Sequence, residues 1–405
     1  MTNQTDYVAV AKKIADDICQ QAYWLEDKCN WTGVFHHSQI ANSEVVLRAL
    51  PSNFYIGSAG VAFFLSASYH VFSDENYKKT ALGAWKKTID QLPKIKSNNV
   101  GFYEGLGGIA FSLVQSGIWL ASDEILTTGL DLANHFSKFI NQSSFDVMEG
   151  CAGGIIALAA IYRLFPSEIL KNAIADGGEY LLKNAQVSQK GLSWKTLATH
   201  GPNLTGYSQG SAGIIHALAE VHAILIEHRY LEAIEKAVLY ENSFYSKKFR
   251  NWKDLRILHQ KHASRSRVYR TNAWCHGASG IGLSRLRTYQ LTSLEFLKAD
   301  ILKSAETITQ IKLENTDVYT LCHGFTGDLL QLKALESFLK KDELIQNLHF
   351  GFSKLNTVIQ TEALSDTKTH FLQNPSFMQG WAGIGYFLLL LQKPDLPNVL
   401  MIGLE

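Results

Sequence analysis

Several things are scarce in this chain of 405 residues, and each shortage excludes something. It has five cysteines. That odd number, without an export signal, argues against a disulfide framework and leaves the thiols to packing, catalysis or metal binding. Proline occurs seven times and alternating apolar–polar stretches are few, which disfavours a sandwich or barrel of short strands. Neither sign of charge prevails: the net charge is +1, so no global field favours nucleic acid or an anionic membrane. The longest apolar run, in GIGYFLLLLQ, is too short to span a bilayer and ends in Lys-Pro-Asp. The opening MTNQTDYVAVAKKIADDICQQ has no basic start followed by an apolar stretch, so it reads as an amphipathic helix and not a signal peptide. A cytoplasmic protein is expected, neither integral to a membrane nor a binder of nucleic acid. What is plentiful is core material: 46% of residues are apolar and 19% charged, a globular composition.

The dominant positive feature is internal repetition. A Gly-x-x-Gly pair opens an apolar run seven times: GSAGVAFFL from Gly57, GLGGIAFSL from Gly105, GCAGGIIAL from Gly150, GSAGIIHAL from Gly210, GASGIGLSRL from Gly277, GFTGDLLQL from Gly324 and GWAGIGYFLLL from Gly380. The first glycines lie roughly 45 to 67 residues apart, a usual spacing for helical-pair repeats. The runs continue with helical spacing; in GIIHALAEVHAIL, Ile214, Leu218, Val221 and Leu225 fall on one stripe. Between runs lies a second helical pattern, such as SDEILTTGLDLANHFSKFI with its acidic first turn. The fold is therefore expected to be all-α. Glycine weakens helices, so paired glycines at seven helix starts need a reason. Small residues let helix ends approach closely, which suits a closed ring of inner helices crowded towards an axis and outer helices packed around them. An open array needs polar capping repeats, and here the first and last repeats are as apolar as the middle ones. One domain over 1–405 is expected, with a helical lead-in over about residues 1–50 and a basic insertion over about 246–270.

Equivalent repeats should present equivalent residues to the same place. The position before the first glycine reads Ile56, Glu104, Glu149, Gln209, His276, His323 and Gln379. One position earlier stand Tyr55, Tyr103, Met148, Ser208, Cys275, Cys322 and Met378. Helix capping and a solvated rim account for Glu104, Glu149 and Gln379. They do not account for two Cys-His pairs in consecutive repeats, CHGASG at Cys275–Gly280 and CHGFTG at Cys322–Gly327. Neighbouring repeats bring equivalent residues together, so Cys275, Cys322 and at least one of His276 and His323 can converge on one ion. Thiolates with imidazole suit zinc. Adjacent residues diverge along a backbone, so the residues alone leave open which histidine joins the cysteines. Cys19, Cys29 and Cys151 lack this context and read as packing residues.

The seven glycine pairs together with Trp-Cys-His-Gly at 274–277 and the later Cys-His-Gly resemble the lanthionine synthetase C-like family, the cyclases of lanthipeptide biosynthesis. The likeness runs from FYIGSAGVAFFL to FMQGWAGIGYFL and includes NWKDLR at Asn251–Arg256, similar to the segment before the zinc cysteine in cyclase domains of bifunctional synthetases. It implies an α/α toroid of seven inner and seven outer helices. It also implies Cys275, Cys322 and His323 as zinc ligands, with a fourth position for water or a substrate thiol. His276 then becomes a supporting or acid/base candidate. The implied reaction is addition of a cysteine thiol to a dehydroalanine or dehydrobutyrine of the same dehydrated precursor peptide, giving a thioether ring.

The chain also departs from the family. A histidine is expected directly before the first glycine of the fourth repeat, and Gln209 stands there. Glutamine donates a hydrogen bond but does not shuttle protons; His276, His200 or a water are the substitutes considered. The family aspartate carries over as Asp146, which by itself reads equally as a helix cap. Arg270 lies near the place of an expected arginine, one residue off register. Ser246–Arg270 holds nine Lys or Arg against one Asp, the pattern of a solvated face or of a surface that steers an acidic leader peptide. A separate dehydratase and an exporter complex are the partners the resemblance implies. Two alternatives remain: addition of a small thiol such as glutathione to dehydroamino acids, and a zinc-stabilised peptide-binding scaffold with weak or no cyclase activity because Gln209 replaces the usual histidine.

Overall fold

Two kinds of helix alternate along the chain. In the computed structural model, which describes residues 6–36, 45–197, 201–256, 271–309, 318–360 and 374–402, the order is α1 (Tyr7–Gln21), α2 (Ser58–Phe72), α3 (Glu75–Gln91), α4 (Leu106–Leu120), α5 (Asp123–Phe136), α6 (Cys151–Leu164), α7 (Glu168–Lys183), α8 (Ser211–Leu225), α9 (His228–Asn242), α10 (Ala278–Thr292), α11 (Leu297–Thr309), α12 (Phe325–Leu339), α13 (Asp342–Gln360) and α14 (Trp381–Gln392). The even-numbered helices are those led by the glycine pairs. They are enclosed on all sides: α8 buries every residue from Ser211 to Val221, so the apolar stripe read from its sequence is part of a cylinder covered all round. The odd-numbered helices bury one face, as α5 does with Ile125, Gly129, Leu132, Ala133 and Phe136. None of the helices among the described residues is long and apolar enough to cross a membrane.

The two sets also start differently. Four outer helices carry side-chain caps: Asp6 accepts from the amides of Val8 and Ala9, Asp74 from that of Asn76, Ser122 from that of Ile125 and Ser167 from that of Leu170, while α9 starts at Glu227 without one. The inner helices have glycine itself at the cap, with no side-chain hydrogen bond. The polar residues ahead of those glycines are therefore not caps, contrary to the sequence-based expectation. The second glycine of each pair has a local reason to be small. A Cβ there would lie 1.7–2.3 Å from the carbonyl oxygen six residues earlier, from Phe54 O at Gly60 to Phe377 O at Gly383. The space is needed for the preceding loop, which folds back on the first turn of its own helix.

Those loops close the ring. The Tyr55 amide donates to Tyr103 O (2.8 Å), Glu104 to Met148 O (2.9 Å), Val147 to Ser208 O (3.3 Å), Ser208 to Cys275 O (3.1 Å), Trp274 to Cys322 O (3.2 Å), Cys322 to Met378 O (3.0 Å) and Met378 back to Tyr55 O (2.8 Å). Every repeat is bonded to the next and the last to the first. The seven inner and seven outer helices thus make an α/α toroid. Helix α1 packs against α14 and α2, so the first part of the expected lead-in is an outer helix of the ring. The rest of the lead-in includes β1 (Tyr23–Leu25) with β2 (Lys28–Asn30) and β3 (Thr32–His36) with β4 (Val45–Ala49), two antiparallel hairpins. Two more hairpins follow outer helices, β5 (Gln186–Ser188) with β6 (Gly191–Ser193), and β7 (Tyr245–Ser246) with β8 (Asn251–Trp252).

Among the described residues, two ion-paired clusters enter the inner layer. Arg285 of α10, fully buried, bonds Glu241 of α9 (2.6 Å) and Asp300 of α11 (3.2 Å). Glu220 of α8 takes Arg287 (2.9 Å), His216 (3.2 Å) and Arg163. Burial alone would raise the Glu220 carboxyl, but the His216 hydrogen bond and the two guanidinium charges outweigh it and hold the pKa at about 2.

Candidate metal centre

The loops that close the ring present the seven residues of the Tyr55 series as a buried circle of side chains at the head of the inner helices. Two are sulfurs from adjacent repeats. Cys275 Sγ, Cys322 Sγ and a ring nitrogen of His323 all lie within 4.8 Å of one another. The Cys322 Sγ to His323 Nε2 separation is 3.5 Å. A tetrahedral ion with Zn–S near 2.3 Å and Zn–N near 2.0 Å sets such neighbours roughly 3.5 Å apart. The objection that adjacent residues diverge is met by the turn over 321–323, which carries Cys322 inwards while His323 stays exposed.

The chemistry of the donor set fits a cation. The ionisations of Cys322 and Cys275 depend on each other. The hydrogen bond from Cys322 lets Cys275 ionise well below the usual thiol range, while burial and the Cys275 charge push the Cys322 thiol far up. A metal in place of the proton of that hydrogen bond would satisfy both sulfurs at once. The site is also one-sided. Cys322 is 1% exposed and Cys275 6%, whereas His323 faces solvent. Three donors with one open side match the catalytic type of zinc site, not the closed structural type.

The two hexads do not have the same conformation. Six of the seven cap glycines have φ between −105° and −154°, but Gly277 has φ +94°. In the other six repeats the first amide of the helix donates to a carbonyl seven residues back, as Phe325 does to Val318 O (2.8 Å). In the fifth repeat the Ala278 amide donates instead to Asn251 Oδ1 (2.9 Å), and Asn251 Nδ2 donates to Thr271 O (2.9 Å). The Asn251 side chain is thus inserted where the others have a direct bond. With the peptide turned at Gly277, His276 leaves the rim and is 1% exposed. Its Nε2 is 3.0 Å from Ser208 Oγ. Gly206, with φ +96°, makes room: a Cβ there would meet His276 Nδ1 at 2.9 Å. Burial first, and then the Arg256 charge, depress the His276 pKa to about 4 against the opposing pull of Cys275 and Asp254.

The family model described as lanthionine synthetase C-like protein matches residues 48–402. This chain belongs to that family. It is 26% identical over 408 residues to the lacticin 481/lactococcin biosynthesis protein LcnDR2 of Lactococcus lactis subsp. lactis, a match covering 96% of this chain and 41% of that protein. The chain thus spans about two fifths of the length of this relative. Among solved structures it is similar to nisin cyclase, with a TM-score of 0.67 and 19% identity over 84% of this chain and 89% of that one. A family 76 glycoside hydrolase from a bovine Bacteroides thetaiotaomicron strain shares the toroid at a TM-score of 0.50 and 10% identity, over 96% of this chain and 78% of the other. These structural likenesses show the fold.

The remaining positions singled out for this lanthionine synthetase C-like chain fare differently. Asp146 is buried and fully engaged: its Oδ1 accepts from the amides of Met148 (2.8 Å) and Glu149 (3.0 Å), and its Oδ2 from Ser144 Oγ (3.0 Å). It fixes the loop ahead of α6 and does not cap that helix, whose cap is Gly150. Gln209 is half-buried, and its main-chain carbonyl accepts from the Thr196 hydroxyl. Arg270, His200 and residues 257–270 of the basic stretch lie outside the described residues. The described part of that stretch is not a plain solvated face, because Asn251, Trp252 and Asp254 are buried there. Asp254 holds Arg256 through Nε (3.1 Å) and Nη2 (2.9 Å). Cys19, Cys29 and Cys151 are buried and free, as expected of packing residues, and burial pushes the Cys29 thiol up to about 12.

Three residues of the site neighbourhood carry no distinguishing signal in the sequence: Asn251, within NWKDLR, and Ser208 and Tyr55, at the repeat position of Cys275 and Cys322. Tyr55 donates its hydroxyl hydrogen to Cys322 Sγ at 2.8 Å.

Proposed function

We propose that this chain is a zinc-dependent lanthionine cyclase, in which Cys275, Cys322 and His323 hold the ion and a cysteine of a dehydrated precursor peptide takes the open side. The convergence of two buried thiols and one exposed imidazole from consecutive repeats, in a chain of this family, carries the reading. Zinc held there would stabilise the thiolate of the incoming cysteine, whose free pKa is about 8.5. The buried sulfurs, fixed by loops bonded on both sides, keep the donors in place. The exposed side at His323 admits a peptide while the rest of the circle excludes water.

In the reaction proposed, the substrate sulfur forms a bond to the β-carbon of a dehydroalanine or dehydrobutyrine. The π electrons move towards the carbonyl as an enolate, and the α-carbon then takes a proton. Gln209 stands where the family's acid is expected; it can hydrogen-bond an enolate oxygen but supplies no proton. His276 is packed against Ser208, and the Asp146 carboxylate is occupied by its own loop. The proton is therefore assigned to solvent entering by the open side, with general-acid help absent. Asp146, Gln209 and His276 act in this scheme by shaping and polarising the site. The dehydrated peptide, a dehydratase activity acting before this step, an exporter complex and a cytoplasmic location complete the proposal.

The test is a cyclisation assay on a dehydrated peptide with wild type, Gln209→His and His276→Ala. Wild type should consume free thiol without a change in peptide mass, and Gln209→His should be faster by about 100-fold, the lower end of the range of general acid catalysis. A mass gain equal to an added small thiol would favour intermolecular addition. Unchanged thiol content at full zinc occupancy would favour a scaffold.

A further inference from the structure

The hydroxyl of Tyr55 reaches the metal centre from the other side of the ring's seam. Tyr55 belongs to the first repeat, Cys322 to the sixth, and between them stands the seventh. The backbone of Tyr55 is held on both sides, donating to Tyr103 O (2.8 Å) and accepting from the Met378 amide (2.8 Å). Its side chain crosses beneath that joint to place Oη 2.8 Å from Cys322 Sγ. Gln379 of the seventh repeat donates from Nε2 to the same hydroxyl oxygen at 3.3 Å. That contact uses an acceptor position of the phenol, so the hydroxyl hydrogen is directed at the sulfur. Tyr55 is 7% exposed, so its hydroxyl is shielded from bulk water.

A thiolate that accepts a hydrogen bond gives less charge to its metal and has its lone pairs fixed in direction. Partners of this kind, next to a ligand and not on the ion, usually change affinity or activity by about 10–100-fold when removed. We propose that Tyr55 is a positioning residue of the metal centre, orienting Cys322 Sγ and lowering its donor strength, and that Gln379 sets the direction of its hydroxyl. This rests on the reading of Cys275, Cys322 and His323 as metal ligands. It assigns the tyrosine of a repeat that contributes no ligand to the control of the ion, and it ties the joint between first and last repeats to metal binding.

The test uses the full chain stripped of metal and reloaded with one equivalent of cobalt(II), with zinc affinity measured in parallel by competition with a chromophoric chelator. Wild type should bind one cobalt with sulfur-to-cobalt charge-transfer bands. Tyr55→Phe should bind one cobalt with those bands moved to lower energy, because an unbonded sulfur gives up electrons more readily, and with zinc affinity reduced by about 10–100-fold. Gln379→Leu should move both readouts in the same direction by less, and it decides the matter if Tyr55→Phe fails to fold. Bands and affinity unchanged in the variants, with wild type binding normally, overturn the role of Tyr55 and leave the metal centre standing. A wild-type chain that takes up no cobalt overturns both.

Discussion

The hexads CHGASG and CHGFTG share four of six letters, and their histidines end in opposite environments. His323 lies exposed beside its cysteine, while His276 is buried behind its own. Neither histidine chooses this. The cap glycine of the sixth repeat has φ −127° and that of the fifth has +94°, and in the fifth repeat the Asn251 side chain takes the place of the direct bond from helix amide to loop carbonyl. A repeat motif thus fixes where a cysteine goes and leaves the next residue to the packing around it. The outer hairpin β7–β8, which supplies Asn251, is what separates the two repeats.

The largest effects should come from the groups the hexads share or divide. Cys275→Ala and Cys322→Ala should each abolish stoichiometric zinc and slow cyclisation by about 10³-fold, the several kcal/mol that a Lewis-acid centre supplies. The histidines should then part company. His323→Ala should lower zinc affinity by at least about 10-fold with little change in the thermal midpoint of the apo chain. His276→Ala should keep one zinc per chain but lose about 2–4 kcal/mol of stability through the cavity it leaves. Metal analysis and calorimetry on the pair decide this; equal zinc loss in both would erase the distinction drawn between them.

A smaller effect tests the bridge. Asn251→Ala should cost about 2–3 kcal/mol, since it leaves the Ala278 amide and the Thr271 carbonyl without their buried partner. The sixth repeat has a backbone bond from Phe325 to Val318 O at that place. A denaturant midpoint unchanged in Asn251→Ala would show that the fifth loop restores the direct bond on its own.

The smallest concerns one position inside the helices. The fifth repeat has Ile281 four residues after its cap glycine, and the sixth has Asp328, buried and raised by that burial to about 7. A carboxyl whose folded pKa lies above its unfolded value near 3.9 keeps its proton longer in the folded state. The folded state therefore loses ground as pH rises from about 4 to 7 and stays penalised above. Asp328→Asn should remove that slope and be more stable than wild type at pH 8 by on the order of 2 kcal/mol. Stability curves at pH 5 and pH 8 that run parallel for the two proteins would contradict it.

Much of this molecule was legible in the chain. The glycine pairs announced seven inner helices, the amphipathic stretches between them the outer set, and the apolar end repeats the closure. The cysteine pair was visible because equivalent repeat positions become neighbours in a ring. Other features were hidden for physical reasons. The second glycines do allow close approach of the neighbouring repeat, as at Gly153, where a Cβ would lie 2.3 Å from Phe102 N; the loop carbonyl six residues back, which they also avoid, has no regular pattern in the sequence. Asp146 looked like a helix cap because a short acceptor ahead of a helix and one that closes a turn have the same sequence signature. Tyr55 showed nothing, since its partner is 267 residues away.

What the sequence by itself determined is the repeating part: periodicity places glycines, apolar helices and the two sulfurs, because each of these depends on local spacing and on the identity of neighbouring repeats. What only the tertiary structure decided is where the repeats differ. Which histidine meets the sulfurs depends on one peptide turned at Gly277 and held by Asn251, and which tyrosine touches a sulfur depends on the ring closing. Both are set by contacts between segments far apart in the chain, and a local pattern carries no record of those.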